Sequence, residues 1–419
     1  MKEIKQKVEK ICIDSKKASE VIANIDSNLK NKVLNEVVRL IKKNLNKILK
    51  ANQKDLKNAK ESRLQQSKID RITLDEARVI NIINAIKEII KLPDPTKKIL
   101  YEANLNNGLN LRRVSTPIGT IFAIFESRPN VTSDIAALSI KSGNTVILRS
   151  GSDCIHSAKI IAEIYREALD ICDVNKNSVI LITETERMFV SELLKMDKYI
   201  DVVIPRGGKS LIKAISDHTK IPVFKHLDGN CHTYFHEKCN FEKARKILLN
   251  AKMRRVGICG ATESLIIDRN IAKKILPLVV DDLKESGCEI RGDQEAKEID
   301  DRINLASEED FYTEFLDKII SIKIVKNLDE AIKHINHYGS AHTESIITED
   351  SKIAKEFLQR VNSAIVMHNA STQFADGGEF GFGAEVGIAT GKIHARGPVG
   401  LEQLTIYKYL VEADCGIRD

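Results

Sequence analysis

A chain of 419 residues that is 42% hydrophobic and 30% charged has room for two or three domains with full cores and is not an intrinsically disordered polymer. Its 65 Lys and Arg against 59 Asp and Glu leave a net charge of +6, too little over this length to point to a nucleic acid. No run approaches the ~18 consecutive apolar residues of a membrane helix, and charges interrupt the start, so neither an anchor nor a secretory leader is expected.

The first hundred residues carry a helical pattern. Apolar residues recur every three or four positions through Val33, Val37, Ile41, Leu45 and Leu49, and again through Val79, Ile83, Ile86 and Ile90. Their Lys-rich opposite faces suit solvent better than a ligand. Pro93 and Pro95 stop the second block. From Leu109 to Val114 apolar and basic residues alternate as in an exposed ribbon.

After Pro117 the pattern changes. Expected strands at 119–124, 145–148, 179–182 and 202–204 alternate with helices at 133–142, 156–169 and near Val190. A second alternating region follows, with strands at 231–235, 263–267, 322–325, 345–347 and 364–367. Its helices fall at 244–250, from 272, at 329–336 and at 353–361. Such alternation indicates βαβ units around parallel sheets, with right-handed connections. A Gly-dense loop at 376–400 and an extended tail at 404–411 end the chain. The fold class is therefore α/β: two parallel-sheet domains plus a small extended arm built from two distant segments.

Four motifs carry potential chemistry. Gly381-Phe382-Gly383 with Gly387 has the wrong spacing and context for a dinucleotide fingerprint, and suits a flexible active-site loop. Pro205-Arg206-Gly207-Gly208-Lys209-Ser210 ends like a phosphate loop, yet Val203 stands where its first glycine would be. Either backbone N–H groups there meet an anion or the segment is an ordinary strand–helix turn. Cys231-His232 with His236 and Cys239 matches no common zinc spacing, and a strand would spread these side chains apart, so no metal is expected.

The eight cysteines, at 12, 154, 172, 231, 239, 259, 288 and 415, include no CxxC pair and read as reduced thiols of a cytoplasmic protein. Cys259 stands out among them. It lies in Arg254-Arg255-Val256-Gly257-Ile258-Cys259-Gly260, where the arginines favour a thiolate and the glycines let a substrate approach. Local sequence leaves it open as nucleophile or structural thiol.

Several segments resemble one family over essentially the whole chain. Phe125-Glu126-Ser127-Arg128-Pro129-Asn130-Val131, Gly229-Asn230-Cys231-His232 and Asn250-Ala251-Lys252 leading to Cys259 are similar to the gamma-glutamyl phosphate reductases of the aldehyde dehydrogenase superfamily. So are the run from Ala331 to Glu344, Phe380–Gly387, and His394-Ala395-Arg396-Gly397-Pro398. The resemblance implies NADPH-dependent reduction of L-glutamyl 5-phosphate to glutamate 5-semialdehyde with release of phosphate, the second step of proline biosynthesis. It implies an NADPH-binding domain from 1–103 and 117–226, and a catalytic domain from 227–368. An oligomerisation arm from 104–116 and 385–419 and a connecting loop at 369–384 complete the division.

Carried over by position, Cys259 matches the nucleophile and Asn130 the side-chain donor to the oxyanion. Arg149 and Ser150 match residues beside the adenosine ribose, Gly207 and Gly208 the turn under the cofactor, and Glu314 the acid at the nicotinamide ribose. Arg128, Arg255, His394 and Arg396 are candidate ligands for the substrate's phosphate and carboxylate. Two departures concern the nucleophile loop, where Gly260 replaces the family's usual Asn and Val256 its usual Pro. Hydrolytic relatives begin the segment corresponding to His226-Leu227-Asp228-Gly229-Asn230 with a general-base Glu. His226 there fits an enzyme that must protect its thioester from water.

The resemblance also implies a homo-oligomer and allows glutamate kinase as a substrate-supplying partner. A hydrolytic or CoA-acylating dehydrogenase is the alternative on this fold, separable by phosphate dependence. An inactive partner module of glutamate kinase is the alternative outside enzymes, separable by the reactivity of Cys259.

Overall fold

The computed structural model describes residues 2–184, 186–225 and 228–418. They fall into two compact units, Met1–Lys225 with Gly381–Gly387 and Val399–Asp419, and His226–Phe380 with Ile388–Pro398. The segment 385–419, read above as one arm, is thus divided between the units. The junction of the two expected domains at residues 226 and 227 lies outside the described residues.

In the first unit the helical pattern becomes helices Lys2–Ile22, Ser27–Lys43, Leu45–Glu61, Gln66–Ile72 and Glu76–Lys91. Asp26 and Asp75 cap two of them, accepting from the N–H groups of Leu29 and Arg78. The periodicity through Leu45 is not one helix. The chain breaks at Asn44, and the buried stripe then shifts phase, so that Ile48 is buried rather than Leu49. The last helix stops at Lys91 because Pro93 holds Leu92 extended, at φ −64° and ψ 144°. Lys30 departs from the solvated-face reading: it is fully buried, and its ammonium bonds Asp94 at 2.9 Å and Thr96 at 3.1 Å.

Strands β1 (Ile99–Asn104) and β2 (Asn110–Pro117) form an antiparallel hairpin. Then β3 (Thr120–Phe125), β4 (Thr145–Ser150), β5 (Val179–Ile182) and β6 (Val202–Arg206) form a parallel sheet in the order β5-β4-β3-β6. Every residue of β3 is buried, as an inner parallel strand covered on both faces must be. Helices Asn130–Lys141 and Ile155–Ile171 follow β3 and β4. The first begins at Asn130 rather than at 133, because Pro129 occupies its N-cap position and presets the first turn.

The second unit holds a seven-stranded parallel sheet. Its strands are β7 (Cys231–Phe235), β8 (Thr262–Asp268), β9 (Glu289–Gly292), β10 (Asn304–Leu305), β11 (Ile319–Val325), β12 (Thr343–Ile347) and β13 (Ile365–His368). They lie in the order β10-β9-β11-β8-β7-β12-β13, which puts β8 and β7 at the centre. Helices Phe241–Met253, Arg269–Glu285, Leu328–Tyr338 and Ser351–Arg360 cover it. Leu265, Ile267, Ile275, Val279, Ile320 and Ile322 form the main core on one face, all essentially inaccessible. Each such side chain contributes about 1.5–3 kcal/mol by burial. Two short antiparallel strands, β14 (Ile388–Ala389) and β15 (Gly397–Pro398), close the Gly-rich loop.

The final strand, β16 (Thr405–Glu412), returns to the first unit. It pairs antiparallel with β2 from Thr405 opposite Pro117 to Glu412 opposite Asn110. The ribbon therefore has three strands, and its first begins at Ile99, before the expected start at 104. Lys97, at φ 62°, turns the chain into it early. Among the described residues no helix is long and apolar enough to cross a membrane.

Candidate active site

The nucleophile candidate lies in the second unit, in the turn between helix Phe241–Met253 and β8, where the Ala261 N–H donates to the Ile258 carbonyl at 3.0 Å. Cys259 is half-buried, whereas Cys12, Cys154, Cys172, Cys231, Cys239 and Cys288 are buried. Burial pushes the Cys239 and Cys288 thiols up to about 11 and the Cys12 thiol to about 12. Those thiols stay protonated and inert.

The backbone of Cys259 is clamped from below. A Cβ on Gly229 would stand 2.0 Å from the Cys259 carbonyl oxygen and 2.6 Å from its Cα. Only glycine permits that approach. The Gly229 N–H donates to Glu314 Oε1 at 2.8 Å, and the Cys231 thiol donates to the Cys259 carbonyl at 3.1 Å. Gln373 ties down the approach to the loop, with Nε2 donating to the Ala251 carbonyl at 2.8 Å and Oε1 accepting from Arg254 at 3.2 Å. At the departure from family habit, a Cβ on Gly260 would lie 3.1 Å from the Thr372 carbonyl, so the neighbouring Thr372–Gln373 backbone packs against a glycine.

Beneath the loop lies an ion pair that sequence reasoning missed. The Lys252 ammonium bonds Glu263 Oε2, and both side chains are fully buried. Glu263 Oε1 accepts from the Leu316 N–H at 3.1 Å, fixing the segment that carries Glu314. Burial pushes the Glu263 carboxyl up to about 7 despite the attraction of Lys252. A signal was present: Lys252 continues the buried stripe of Ala244, Leu248 and Ala251, and Glu263 precedes the apolar run Leu265-Ile266-Ile267 in a strand buried throughout. A Lys and a Glu in such positions require each other.

The CHxxxHxxC segment does not converge on a metal. Alternation along β7 sends Cys231 to Cys259, and His232 to Glu344, which accepts from its Nδ1 at 2.9 Å. His236 bonds Thr348 at 3.0 Å. Of the cationic candidates here, Arg255 and His394 are exposed. Arg396 is not simply available: its two terminal nitrogens donate to the side chain and carbonyl of Asn362 at 2.8 and 2.6 Å.

The first unit holds the remaining expected residues at the carboxyl ends of its strands. The chain runs from β3 to β4 and β5 on one side, while β6 lies on the other. The reversal between β3 and β6 is the position where open α/β sheets take ligands. Glu126 follows β3, Arg149 and Ser150 end β4, Arg206 ends β6, and Gly207 and Gly208 follow it.

The Ser150 hydroxyl is buried without a hydrogen-bond partner, an orphan suited to a ligand oxygen. A Cβ on Gly207 would meet Leu211 at 2.5 Å and Glu126 at 3.0 Å, whereas one on Gly208 would meet nothing within 4 Å. Helix Lys209–His218 starts there without a side-chain cap. An orphaned hydroxyl, an uncapped helix start and an open glycine fit a nucleotide's phosphates and ribose.

The loop after β3 holds Arg128 and Asn130. Ser127 sits in the left-handed region at φ 51°, held by Asp153, which accepts from its N–H at 3.3 Å and from its hydroxyl. Asn130 opens its helix, and its Nδ2 donates to Asp134 Oδ2 at 2.9 Å. His226, the expected replacement for a general base, lies outside the described residues.

The model of the "Aldehyde dehydrogenase family" matches residues 2–299. A gamma-glutamyl phosphate reductase of Erythrobacter litoralis is 48% identical over 402 residues, 96% of this chain and 95% of that protein. One from Nautilia profundicola is 46% identical over 419 residues, 100% of both. The crystal structure of gamma-glutamyl phosphate reductase from Thermotoga maritima superposes with a TM-score of 0.96 at 41% identity, covering 98% of this chain and 100% of that one.

Proposed function

We propose, on the premise that this chain belongs to the gamma-glutamyl phosphate reductases of the aldehyde dehydrogenase family, that it reduces L-glutamyl 5-phosphate to L-glutamate 5-semialdehyde and releases phosphate. That reaction is the second step of proline biosynthesis. The family works with nicotinamide cofactors, and NADPH is the one proposed here. The observation that carries the reading is Cys259, a half-buried thiol on a turn whose backbone is clamped by Gly229 and Cys231.

The chemistry follows from these residue types. An acyl phosphate is already activated, so the Cys259 thiolate attacks its carbonyl, the acyl–oxygen bond breaks and phosphate leaves, giving a thioester on Cys259. Bound NADPH supplies the hydride that reduces this thioester. Negative charge develops on the carbonyl oxygen in both halves of the reaction. The Asn130 amide and the Cys259 N–H stabilise it by about 3 kcal/mol per donor. Expulsion of the thiolate then releases the aldehyde.

Arg149, Ser150, Gly207, Gly208 and Glu314 are the residues proposed to hold the cofactor. Arg128, Arg255 and His394 are proposed for the phosphate and α-carboxylate, with Arg396, committed to Asn362, in a supporting place. Glutamate kinase supplies the substrate, and the cytoplasm is the proposed location. The ribbon of β1, β2 and β16 is the proposed oligomerisation surface, because β16 exposes Ile406, Tyr407, Tyr409 and Val411 on an edge strand.

The test is NADPH formation from glutamate semialdehyde and NADP with phosphate, with CoA and with neither. Turnover that requires phosphate supports the reading. Equal turnover with neither acceptor, or turnover that requires CoA, contradicts it.

A further inference from the structure

We propose that Asp134 is a positioning residue that sets the orientation of the Asn130 amide. The inference rests on the reading of Asn130 as oxyanion donor and adds a second residue to that function. Asn130 and Asp134 stand one turn apart on helix Asn130–Lys141, so their side chains share a face. The Asn130 Nδ2 donates to Asp134 Oδ2 at 2.9 Å.

An amide can present either its oxygen or its nitrogen, and the two ends differ little in shape. An ionised carboxylate only accepts, so it selects the nitrogen. One N–H of Asn130 then binds Asp134, and the second remains for the developing oxyanion. The carboxylate also polarises that amide, as a charged acceptor does. A protonated carboxyl loses this selectivity, because its O–H can bond the Asn130 oxygen as readily as its other oxygen accepts from the nitrogen.

The surroundings support the assignment. Burial pushes the Asp134 carboxyl up to about 6, while Asn130 and the Arg206 guanidinium hold it down against that effect. Among the described residues Tyr165 of helix Ile155–Ile171 also faces it, and its hydroxyl bonds the carbonyl of Ser133 at 3.0 Å while Asp134 opposes its ionisation. A carboxylate raised in this way costs stability. Its folded value lies above that of a free aspartate, so its contribution is most favourable below the unfolded value and is lost as pH rises through about 6. A purely structural residue at this place gains nothing from being ionised.

The test is a cycle of Asn130→Ala, Asp134→Asn and the double variant, read by phosphate-dependent reduction of NADP with glutamate semialdehyde. Asparagine keeps the shape of Asp134 but offers both a donor and an acceptor. Asp134→Asn should lower kcat about tenfold with KM within about twofold of the parent, because the lost selection acts on the transition state. The parent's kcat should fall on the acid side with an apparent pKa near 6, and the variant should lack that limb. In the Asn130→Ala background the second substitution should add nothing. The single variant should also unfold at a higher temperature than the parent at pH 8, and by a larger margin than at pH 5.

An Asp134→Asn enzyme with parental kcat and pH profile overturns the proposal. So does a tenfold loss repeated in full on top of Asn130→Ala, since Asp134 would then act independently of Asn130. If Asn130→Ala alone keeps parental kcat, the oxyanion reading falls first and this inference falls with it.

Discussion

The two loops proposed to carry the chemistry are held in different ways. The loop after β3, with Arg128 and Asn130, is positioned by carboxylates: Asp153 takes the N–H and hydroxyl of Ser127, and Asp134 takes the Asn130 amide. The Cys259 loop is held mainly by neutral groups and close packing. Gly229 lies against its backbone, the Cys231 thiol bonds its carbonyl, and the Gln373 amide bonds the segment before it. The acids beneath it spend their charge on other groups, Glu263 on Lys252 and Glu314 on the Gly229 N–H. A loop that must present N–H groups to an oxyanion benefits from acceptors behind them. A loop that must present a thiolate is disfavoured by nearby negative charge, which raises a thiol's pKa.

This contrast can be broken at several points. Cys259→Ala removes the reacting atom and should cut phosphate-dependent turnover by more than about 10⁴-fold, while NADPH affinity, measured by fluorescence titration, stays near the parental value. A variant keeping a tenth of parental turnover would show that catalysis is not covalent through this residue.

Lys252→Met should cost about 3–5 kcal/mol of stability, because it strands a buried carboxylate. Glu263 titrates near 7 in the pair, and without Lys252 its burial pushes it higher. It therefore escapes the penalty by taking up a proton, and the loss should be larger at pH 8 than at pH 6. Urea unfolding at the two pH values measures this, and an equal loss at both would place the charge elsewhere.

Two glycine substitutions sharpen the comparison further. Gly229→Ala puts a methyl where the Cys259 carbonyl stands, displacing the nucleophile and lowering kcat by about 10²-fold. Gly208→Ala meets nothing within 4 Å in the chain, so it should leave the fold's melting temperature unchanged and weaken only NADPH binding. Equal effects on kcat from both would mean that the clamp under Cys259 has no catalytic consequence.

Much of this architecture was legible because its signals are local. The strand at 179–182 is an apolar run, that at 231–235 is rich in aromatic and β-branched residues, and both appear with the expected bounds. β9 and β10 were not legible: they have four and two residues, the first reads EIRG, and they are the last two strands on one side of the sheet, with β10 at its edge, where apolar patterning relaxes. The break at Asn44 escaped because two helices with compatible spacing look like one.

At the site, the flanking glycines and arginines singled out Cys259 but left it open as nucleophile or structural thiol, and the role proposed for it came from the family resemblance. Gly229, Lys252, Glu263 and Asp134 were not given roles, since each meets its partner only in the folded chain. Residues 229 and 259 touch only because β7 and β8 are adjacent, and a lysine on a buried helix stripe looks like an exception to a pattern until its glutamate is found on the strand that follows the helix.

The central claim is that an acyl group passes through the sulfur of Cys259. The direct measurement mixes enzyme, NADP and glutamate semialdehyde without phosphate, quenches in acid within milliseconds and determines the mass of the Cys259 peptide. A burst of NADPH equal to the number of subunits, with a glutamyl adduct on Cys259 that disappears when phosphate is added before the quench, is the predicted result. NADPH formed at the same rate with Cys259 unmodified at every time point would contradict it.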